Sequence, residues 1–390
     1  MRIRKLLRVR FVVDPFTEQE KIMAELTPMM QKYMETKEQY KDCILFYRLG
    51  DFYEMFFDDA LVASKELEIT LTGKSCGLEE RAPMCGIPYH AVEGYLSKLV
   101  SRGYKVAICE QVEDPKLAKG LVKREVIRVV TPGTNLNVQS LEAGKNNYLL
   151  SIAYTPDGIG ISAADVTTGD YYVTEVEDLK KLNDELMKYE PSEIICNEAF
   201  LVSGFDVNDL KSRLHISVNA LESHMFDDDG CRRILMKHFK VNTLIGLGVE
   251  EFPTGLLAAG ALLQYLYDTQ KTDLEHFTHI YPYLTSKYML LDSSTRRNLE
   301  LTETLREKQK RGSLLWVLDK TKTAMGARLL RNYIEQPLIE KDEMEKRLDA
   351  IQELNQDSIS RDEIREYLNP IYDLEPVSYT HLTLPTICSV

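Results

Sequence analysis

The chain has 390 residues, of which 44% are hydrophobic and 28% are charged. This length allows two or three domains that each bury a core, and the composition excludes a disordered or fibrous protein. The net charge of −13 argues weakly against nucleic-acid binding, because neutralising phosphates requires Lys and Arg. DNA responds to the local field, however, so the charge has to be judged segment by segment.

Seven cysteines are scattered along the chain without a C-x-x-C pair. This spacing disfavours a zinc site and indicates reduced thiols in a cytosolic protein. No apolar run reaches the ~18 residues that a membrane span needs. We therefore expect a cytoplasmic protein that does not engage a membrane.

Both ends of the chain look foreign to the rest. Residues 1–22 are basic and then apolar, but they lack the apolar core and cleavage site of a signal peptide. Met23 opens a more ordinary protein start, so we interpret 1–22 as a non-native or disordered leader. Residues 376–390 carry neither periodicity nor caps, and we interpret them as an artefactual tail on a truncated chain.

Residues 23–133 alternate between helical and strand-like patterns, which predicts a compact mixed α/β domain. The predicted elements are a helix from Pro28 to about Gln39 with Thr27 as N-cap, a strand at Cys43–Arg48, a helix at Phe57–Leu71, a loop from Gly73 to Tyr89, a helix at Ala91–Arg102 closed by Gly103, and strands at Tyr104–Cys109 and Glu125–Val130.

The pattern of residues 145–250 predicts a second α/β domain. Three strand-like runs, separated by turn signals, form an antiparallel meander that is followed by a helix at Asp178–Tyr189 and a strand at Glu193–Cys196.

After residue 251 the strand signals fade and helical periodicity takes over, which predicts an all-α segment over 251–375. Its predicted helices are Leu256–Gln270, Ser294–Arg311, Thr323–Gln336 and Lys341–Gln356.

The segment Leu49–Asp59, LGDFYEMFFDD, is the most informative for function. One interpretation makes Phe52 and Phe56 core residues and Glu54 a solvated surface residue. Another is a metal-dependent nuclease with carboxylates as oxygen ligands. Those carboxylates would be Asp51, Glu54, Asp58 and Asp59.

A third interpretation comes from resemblance. Residues 50–54, GDFYE, match a signature of the MutS family that contains its mismatch-reading Phe-x-Glu motif. Five further blocks follow in the family's order: 82–90 (APMCGIPYH), 107–112 (AICEQV), 128–134 (RVVTPGT), 291–301 (LDSSTRRNLEL), and 325–331 (MGARLLR) with 336–338 (QPL). Together they make the chain similar to the MutS family from Met23 to Glu375.

The resemblance implies a fold for each part of the chain. It implies a mismatch-binding domain over 23–133, a connector with an RNase-H-like fold over 145–250, and the start of a helical core or lever over 251–375.

It also implies that Phe52 is a wedge in the minor groove and that Glu54 hydrogen-bonds the displaced base. A mismatch kinks more cheaply than paired duplex, and an apolar wedge exploits that. Glu54 is two residues after Phe52 in an extended segment, so the two side chains project to the same side. Its carboxylate is repelled by phosphates, which disfavours paired DNA unless the bond to the base forms.

Phosphate contacts have to supply the affinity. The glycines of the loop at 73–90 allow close backbone approach, and Lys74, Arg81 and His90 can meet phosphates or sugars. Residues 98–128 add eight basic side chains against four acidic ones. The full expected DNA-binding set is Phe52, Glu54, Asp51, Lys74, Arg81, Met84, Gly86, Pro88 and His90.

The implied partners are duplex DNA with mismatches or small insertion/deletion loops, a second copy of the chain, and a MutL-type protein. The family binds ATP and Mg²⁺ through a C-terminal domain outside this sequence, so we expect this chain to hold no cofactor and to be no enzyme. Gly73-Lys74-Ser75 ends like a P-loop, but Glu68 stands where that motif requires glycine. The alternative function is a general DNA-structure or recombination-intermediate binder on the same scaffold.

Overall fold

A computed structural model of the chain describes residues 26–113, 120–136, 144–214 and 216–375. The interpreted leader, 1–22, and the interpreted tail, 376–390, lie outside the described residues. Two compact units emerge from the contacts: one runs up to Tyr95 and resumes over Val106–Ile127, and the other contains Leu96–Lys105 and the chain from Arg128 onward. Within the described residues, no helix combines the length and apolarity needed to cross a bilayer.

Six strands form the first sheet. They are β1 (Cys43–Leu49), β2 (Phe52–Phe56), β3 (Thr72–Lys74), β4 (Ala82–Pro88), β5 (Lys105–Gln111) and β6 (Arg124–Val130). Their order across the sheet is β3-β4-β2-β1-β5-β6. β2 pairs antiparallel with both β1 and β4, and β3 pairs antiparallel with β4. The segment from Gly73 to Tyr89, predicted as a loop, therefore contains two strands. Its glycines and prolines are typical of loops, but pairing with β2 overrides that local preference.

Three helices alternate with these strands along the chain: α1 (Pro28–Gln39), α2 (Phe57–Leu67) and α3 (Val92–Ser101). The α1 boundaries and its N-cap residue Thr27 are as predicted. α2 ends four residues before the predicted Leu71, because Glu68 adopts a left-handed conformation with φ of 57°. Gly103, with φ of +86°, takes the predicted left-handed position after α3.

The core of the first unit centres on Tyr33 of α1. Its ring packs edge-on against Tyr47 and Phe56 at centroid distances of 5.4 and 4.9 Å. The Tyr33 hydroxyl also donates to the buried carboxylate of Asp59 at 3.2 Å. Burial, reinforced by Asp59, raises the pKa of Tyr33 far above its ordinary value, so the hydroxyl keeps its proton as a donor.

Six strands form the second sheet: β7 (Tyr148–Thr155), β8 (Gly158–Asp165), β9 (Asp170–Val176), β10 (Glu193–Asn197), β11 (Ser217–Leu221) and β12 (Tyr281–Pro282). Their order across the sheet is β11-β10-β7-β8-β9-β12. The predicted antiparallel meander corresponds to β7, β8 and β9. β10 joins β7 in parallel, and β11 joins β10 in parallel. β12 was not predicted, because two residues carry no strand periodicity of their own.

Helices cover both faces of this sheet. They are α4 (Leu179–Tyr189), α5 (Glu198–Leu201), α6 (Val207–Arg213), α7 (Asp228–Phe239) and α8 (Pro253–Gln270). Leu149 and Tyr171 face a core shared with α7 and α8, whereas Leu150 packs in a core shared with α4. Successive residues of a strand point to opposite faces, so this alternation produces three layers.

α8 lies on the strands and so belongs to this α/β sandwich. Its sequence is apolar all round, as expected of a helix buried between other elements. A Cβ atom on Gly160 of β8 would lie 2.0 Å from the carbonyl oxygen of Thr254, so only glycine permits this approach. The predicted helix Leu256–Gln270 thus forms, but it packs on the sheet and not with the later helices.

The remaining helices are α9 (Ser293–Asn298), α10 (Leu314–Leu318), α11 (Ala324–Glu335), α12 (Lys341–Gln356) and α13 (Ser358–Leu368). The C-terminal part is helical, as predicted, but the helix expected over Ser294–Arg311 is wrong beyond Asn298. Glu300 adopts φ of 47°, and the amides of Leu314 and Leu315 donate to the carbonyls of Glu300 and Leu301 at 3.0 and 2.8 Å. These longer-range bonds replace the helical ones.

Candidate nucleic-acid interface

The candidate site is built on a tight hairpin between β1 and β2. Gly50 and Asp51 form its two-residue turn, and Leu49 of β1 pairs with Phe52 of β2. Gly50 has φ of +59°, which glycine adopts without strain at the first position of such a turn. The carbonyl of Asp51 accepts the backbone N–H of Tyr89 at 3.0 Å, which ties the turn to the end of β4.

Phe52 stands out of the core at the start of β2. Phe52 is 46% exposed, whereas Phe56, four residues later on the same face, is 1% exposed. The interpretation that both are core residues is therefore correct for Phe56 and wrong for Phe52. An exposed aromatic ring on a rigid strand is available for contact with another molecule.

Strand register places four more expected site residues on the face of Phe52 and Glu54. Directly opposed residues in an antiparallel pair project to the same side. The opposed pairs are Phe52 with Pro88, Glu54 with Gly86, Phe56 with Met84, and Lys74 with Ala82. One face of the sheet, which we call the Phe52 face, consequently carries Phe52, Glu54, Lys74, Met84, Gly86 and Pro88.

Gly86 lies beside both central residues. A Cβ atom there would be 3.5 Å from Cγ of Glu54 and 3.9 Å from Cδ1 of Phe52. A longer side chain at this position would therefore fill the space between the ring and the carboxylate. Glycine keeps that space open.

Glu54 is half-buried, and its carboxylate has a cationic partner. Nζ of Lys74 lies 2.5 Å from Oε2 of Glu54, and their side chains are 34% and 16% exposed, respectively. The same ammonium group lies 5.5 Å from the ring centroid of Phe56. Glu54 is thus not the solvated surface residue of the first interpretation, and Lys74 has a role inside the protein.

The other three expected residues lie at the margins. Arg81, Asp51 and His90 are exposed. Arg81 immediately precedes β4, and His90 follows it in a short turn with its ring 5.8 Å from that of Tyr89. These side chains are free to meet a ligand at the edge of the shared face.

Arg48 supports the hairpin, a role that the sequence pattern did not predict. Its guanidinium stacks on the Tyr89 ring, with Cζ 3.8 Å from the centroid. It also donates to the carbonyl of Gly50 at 2.5 Å and to Glu110 at 3.2 Å. The Tyr53 hydroxyl donates to the same Glu110 carboxylate. An arginine two residues before the Gly50-Asp51 turn was the signal, but Tyr89 and Glu110 are distant from it in the sequence.

The basic stretch 98–128 is partly engaged in structural contacts. Arg124 donates to the carbonyl of Arg48 at 2.7 Å, and Arg128 donates to the carbonyl of Thr134 at 3.0 Å. Lys116 and Lys119 lie outside the described residues.

The nuclease alternative loses one of its ligands. The carboxylate of Asp59 is buried, where it accepts the backbone N–H of Leu45 at 2.9 Å and pairs with Lys37 at 2.9 Å. Across the described ranges, no three His, Cys, Asp or Glu side chains are grouped so that they could hold a metal ion. Asp59 therefore acts as a structural residue.

Gly73-Lys74-Ser75 does not fit a nucleotide phosphate. Gly73 and Lys74 lie in β3, paired with β4, and Lys74 is bound to Glu54. A P-loop instead needs a glycine-rich turn that opens a helix. These residues therefore do not form a P-loop.

Three family profiles match the chain in order. MutS domain I matches residues 27–139, MutS domain II matches 147–278, and MutS domain III matches 294–380. The domain I match contains the whole Phe52 face, and the domain II match contains α8.

Curated relatives match as well. The DNA mismatch repair protein MutS of Lachnoclostridium phytofermentans is 70% identical over 353 residues, which are 90% of this chain and 38% of that protein. Those of Ruminiclostridium cellulolyticum and Acetivibrio thermocellus are 54% and 53% identical, again over 90% of this chain, and 40% and 41% of their lengths are covered. The chain thus spans about two fifths of these relatives. On these matches and the six motif blocks, the chain belongs to the MutS family.

Proposed function

We propose that this chain recognises mispaired or unpaired bases in duplex DNA, as part of DNA mismatch repair. The exposure of Phe52 is the observation that carries the proposal. Its neighbour Tyr53 is buried, so the hairpin holds one aromatic ring outward on a fixed base. The relatives named as mismatch repair proteins support the same function.

Phe52 acts as the wedge. A mispaired step is weakly stacked and kinks more cheaply than paired duplex. Unstacking a step costs a few kcal/mol, which an inserted apolar side chain offsets by its own contacts. An aromatic ring stacks on any base, so one residue serves many mismatches.

Glu54 reads whether the wedge has met a displaced base. It lies on the Phe52 face beside Gly86, which has no side chain to fill the space between Glu54 and the Phe52 ring. The carboxylate accepts a hydrogen bond from a displaced base edge. With a matched duplex the bond is absent and phosphate repulsion remains, which favours mismatched DNA.

The marginal residues contribute contacts with the backbone of DNA. Arg81 and His90 are exposed beside β4 and can reach phosphates or sugars. Met84 and Pro88 line the same face through the register of β4. Asp51 holds the turn against Tyr89 and so fixes the approach of the ring.

We also propose, from family membership, that residues 145–250 form an RNase-H-like connector and that the later helices begin a lever. Three antiparallel strands followed by two parallel ones, with helices on both faces, support the connector assignment. The complete protein would act in the cytoplasm as a homodimer, use ATP and Mg²⁺, and recruit a MutL-type partner. The chain by itself would hydrolyse no ATP.

The test is a binding comparison with the 390-residue chain. Its affinity is measured for a duplex with a G·T mismatch or a one-base bulge, for the matched duplex, and for a four-way junction. We expect tighter binding of the mismatched and bulged duplexes than of the other two DNAs. Equal affinity for matched and mismatched duplexes contradicts the proposal, and a preference for the junction favours the recombination-intermediate alternative.

A further inference from the structure

Glu54 and Lys74 come from strands that are not neighbours in the sheet. β4 lies between β2 and β3, and both side chains project over its face. The β4 residues opposite them are Gly86 and Ala82, respectively, which are small. The lysine can therefore extend across β4 and reach the carboxylate at 2.5 Å.

The pair is partly shielded from water. The Glu54 side chain is 16% exposed, and the ammonium group of Lys74 also lies over the ring of Phe56. Partial desolvation strengthens such a pair beyond the value of a fully exposed one. It also means that a carboxylate left there without its cation would be unfavourable.

We propose that Lys74 is a positioning residue for mismatch discrimination, which acts by holding the carboxylate of Glu54 beside Phe52. This inference rests on the proposed function of the Phe52 face. The lysine restricts the rotamers of Glu54 and balances its charge when a base covers it. Without the lysine, bringing Glu54 against a base requires ordering the side chain and burying an uncompensated charge.

A plain phosphate contact by Lys74 predicts a different result. Loss of a phosphate contact weakens binding about equally for all sequences and leaves discrimination unchanged. Loss of a residue that acts through Glu54 lowers the preference for mismatched DNA. It does so only while Glu54 is present as a carboxylate.

The experiment measures the ratio of affinities for G·T and matched duplexes, using the 390-residue chain. Lys74→Met is made in the wild-type chain and in a Glu54→Gln background. We expect the ratio to fall by roughly three- to tenfold in the wild-type background. In the Glu54→Gln background the same change should leave the ratio within about twofold.

Two control variants complete the design. Lys74→Arg keeps the charge and should retain the wild-type ratio. Lys65→Met removes an exposed lysine from the last turn of α2 and should leave the ratio unchanged. Thermal unfolding of each variant verifies that it is folded. If Lys74→Met unfolds, Lys74→Arg still tests the inference. A folded Lys74→Arg chain that no longer prefers the G·T duplex overturns it.

The outcomes separate the two proposals. If the wild-type chain does not prefer the mismatched duplex, the proposed function fails and this inference fails with it. If the wild-type chain does prefer it, but Lys74→Met leaves the ratio unchanged or lowers it equally in both backgrounds, the inference is overturned and the proposed function stands.

Discussion

Phe52 and Tyr53 are adjacent on one strand, yet Phe52 is 46% exposed and Tyr53 is 2% exposed. The hydroxyl of Tyr53 donates to Glu110, and burial raises the pKa of Tyr53 well above its ordinary value. The buried ring anchors the strand through its packing and through this bond. The exposed ring is thereby held outward at a fixed position beside the Gly50-Asp51 turn.

We expect Phe52→Ala to abolish most of the preference for mismatched DNA without unfolding the chain. Loss of a base-stacking ring lowers affinity by about 1–3 kcal/mol, and only mismatched DNA accepts the wedge. Binding to G·T and matched duplexes is the measurement. Leu61→Ala, at a residue of α2 that is 47% exposed, is the matched control and should change neither affinity. Mismatch preference that survives Phe52→Ala would show that the ring is not the wedge.

Glu54→Gln should increase binding to matched duplex. It removes the negative charge that phosphates repel while keeping the shape of the side chain. Its affinity for mismatched duplex should change less, so the ratio of the two falls. Because screening weakens charge repulsion, the gain on matched DNA should shrink as salt is raised. Unchanged binding to matched duplex at low salt would count against the repulsive role of Glu54.

Asp59→Ala should destabilise the first unit strongly, whereas Asp58→Ala should not. Asp59 is buried and accepts bonds from Leu45, Tyr33 and Lys37. Its removal takes the acceptor from the backbone N–H of Leu45 and the counter-charge from the Lys37 ammonium, which still donates to the carbonyls of Lys41 and Cys43. We expect a loss of about 3 kcal/mol in unfolding free energy for Asp59→Ala and less than about 0.5 kcal/mol for the exposed Asp58→Ala. Urea unfolding followed by circular dichroism distinguishes them; similar midpoints for both variants would refute the structural role.

Two glycine substitutions should have opposite effects on stability. Gly160→Ala places Cβ 2.0 Å from the carbonyl oxygen of Thr254, so α8 must move away from β8. We expect destabilisation by about 1–3 kcal/mol. Gly94→Ala, inside α3 with no atom within 4 Å of the new Cβ, should stabilise by roughly 0.5–1 kcal/mol. Thermal unfolding measures both, and a stabilised Gly160→Ala chain would contradict the close helix–strand approach.

Glu335 should make stability fall as pH rises. The pKa of this carboxyl is raised from 4.5 to about 7, mainly by burial. The positive charge of Arg331 opposes this rise, and the negative charge of Glu190 adds to it. Arg296 and Lys145 make smaller contributions that also oppose the rise. Between pH 4.5 and 7 the unfolded chain releases a proton that the folded chain retains. The contribution of this group to stability is therefore lost across that range, by on the order of 2–3 kcal/mol.

Glu335→Gln provides the measurement. The variant should lack this component of the pH dependence. The unfolding free energy of the variant minus that of the wild-type chain should therefore increase between pH 5 and pH 8. Parallel urea-unfolding profiles for the two chains over this range would exclude Glu335 as the source.

Most elements with strong periodicity could be predicted from the sequence. The antiparallel meander over 148–176, the helix after Thr27 and the turn at Gly50 follow from local patterns. The expected loop over 73–89 and the long helix beyond Asn298 were wrong, because pairing with β2 and the bonds from Leu314 and Leu315 act over longer range. The motif blocks also identified the family, since ordered spacing is a property of the sequence.

For the candidate site, the sequence alone determined which residue types stand beside the turn and that Phe52 and Glu54 share a side of the strand. Only the tertiary structure decided that Phe52 is exposed, that Lys74 forms an ion pair with Glu54, and that Arg48 stacks on Tyr89. The physical reason is that exposure and ion pairing depend on contacts between residues 20 or more positions apart in the sequence. The alternation of side chains between the two faces of a strand, in contrast, is a local property of extended backbone.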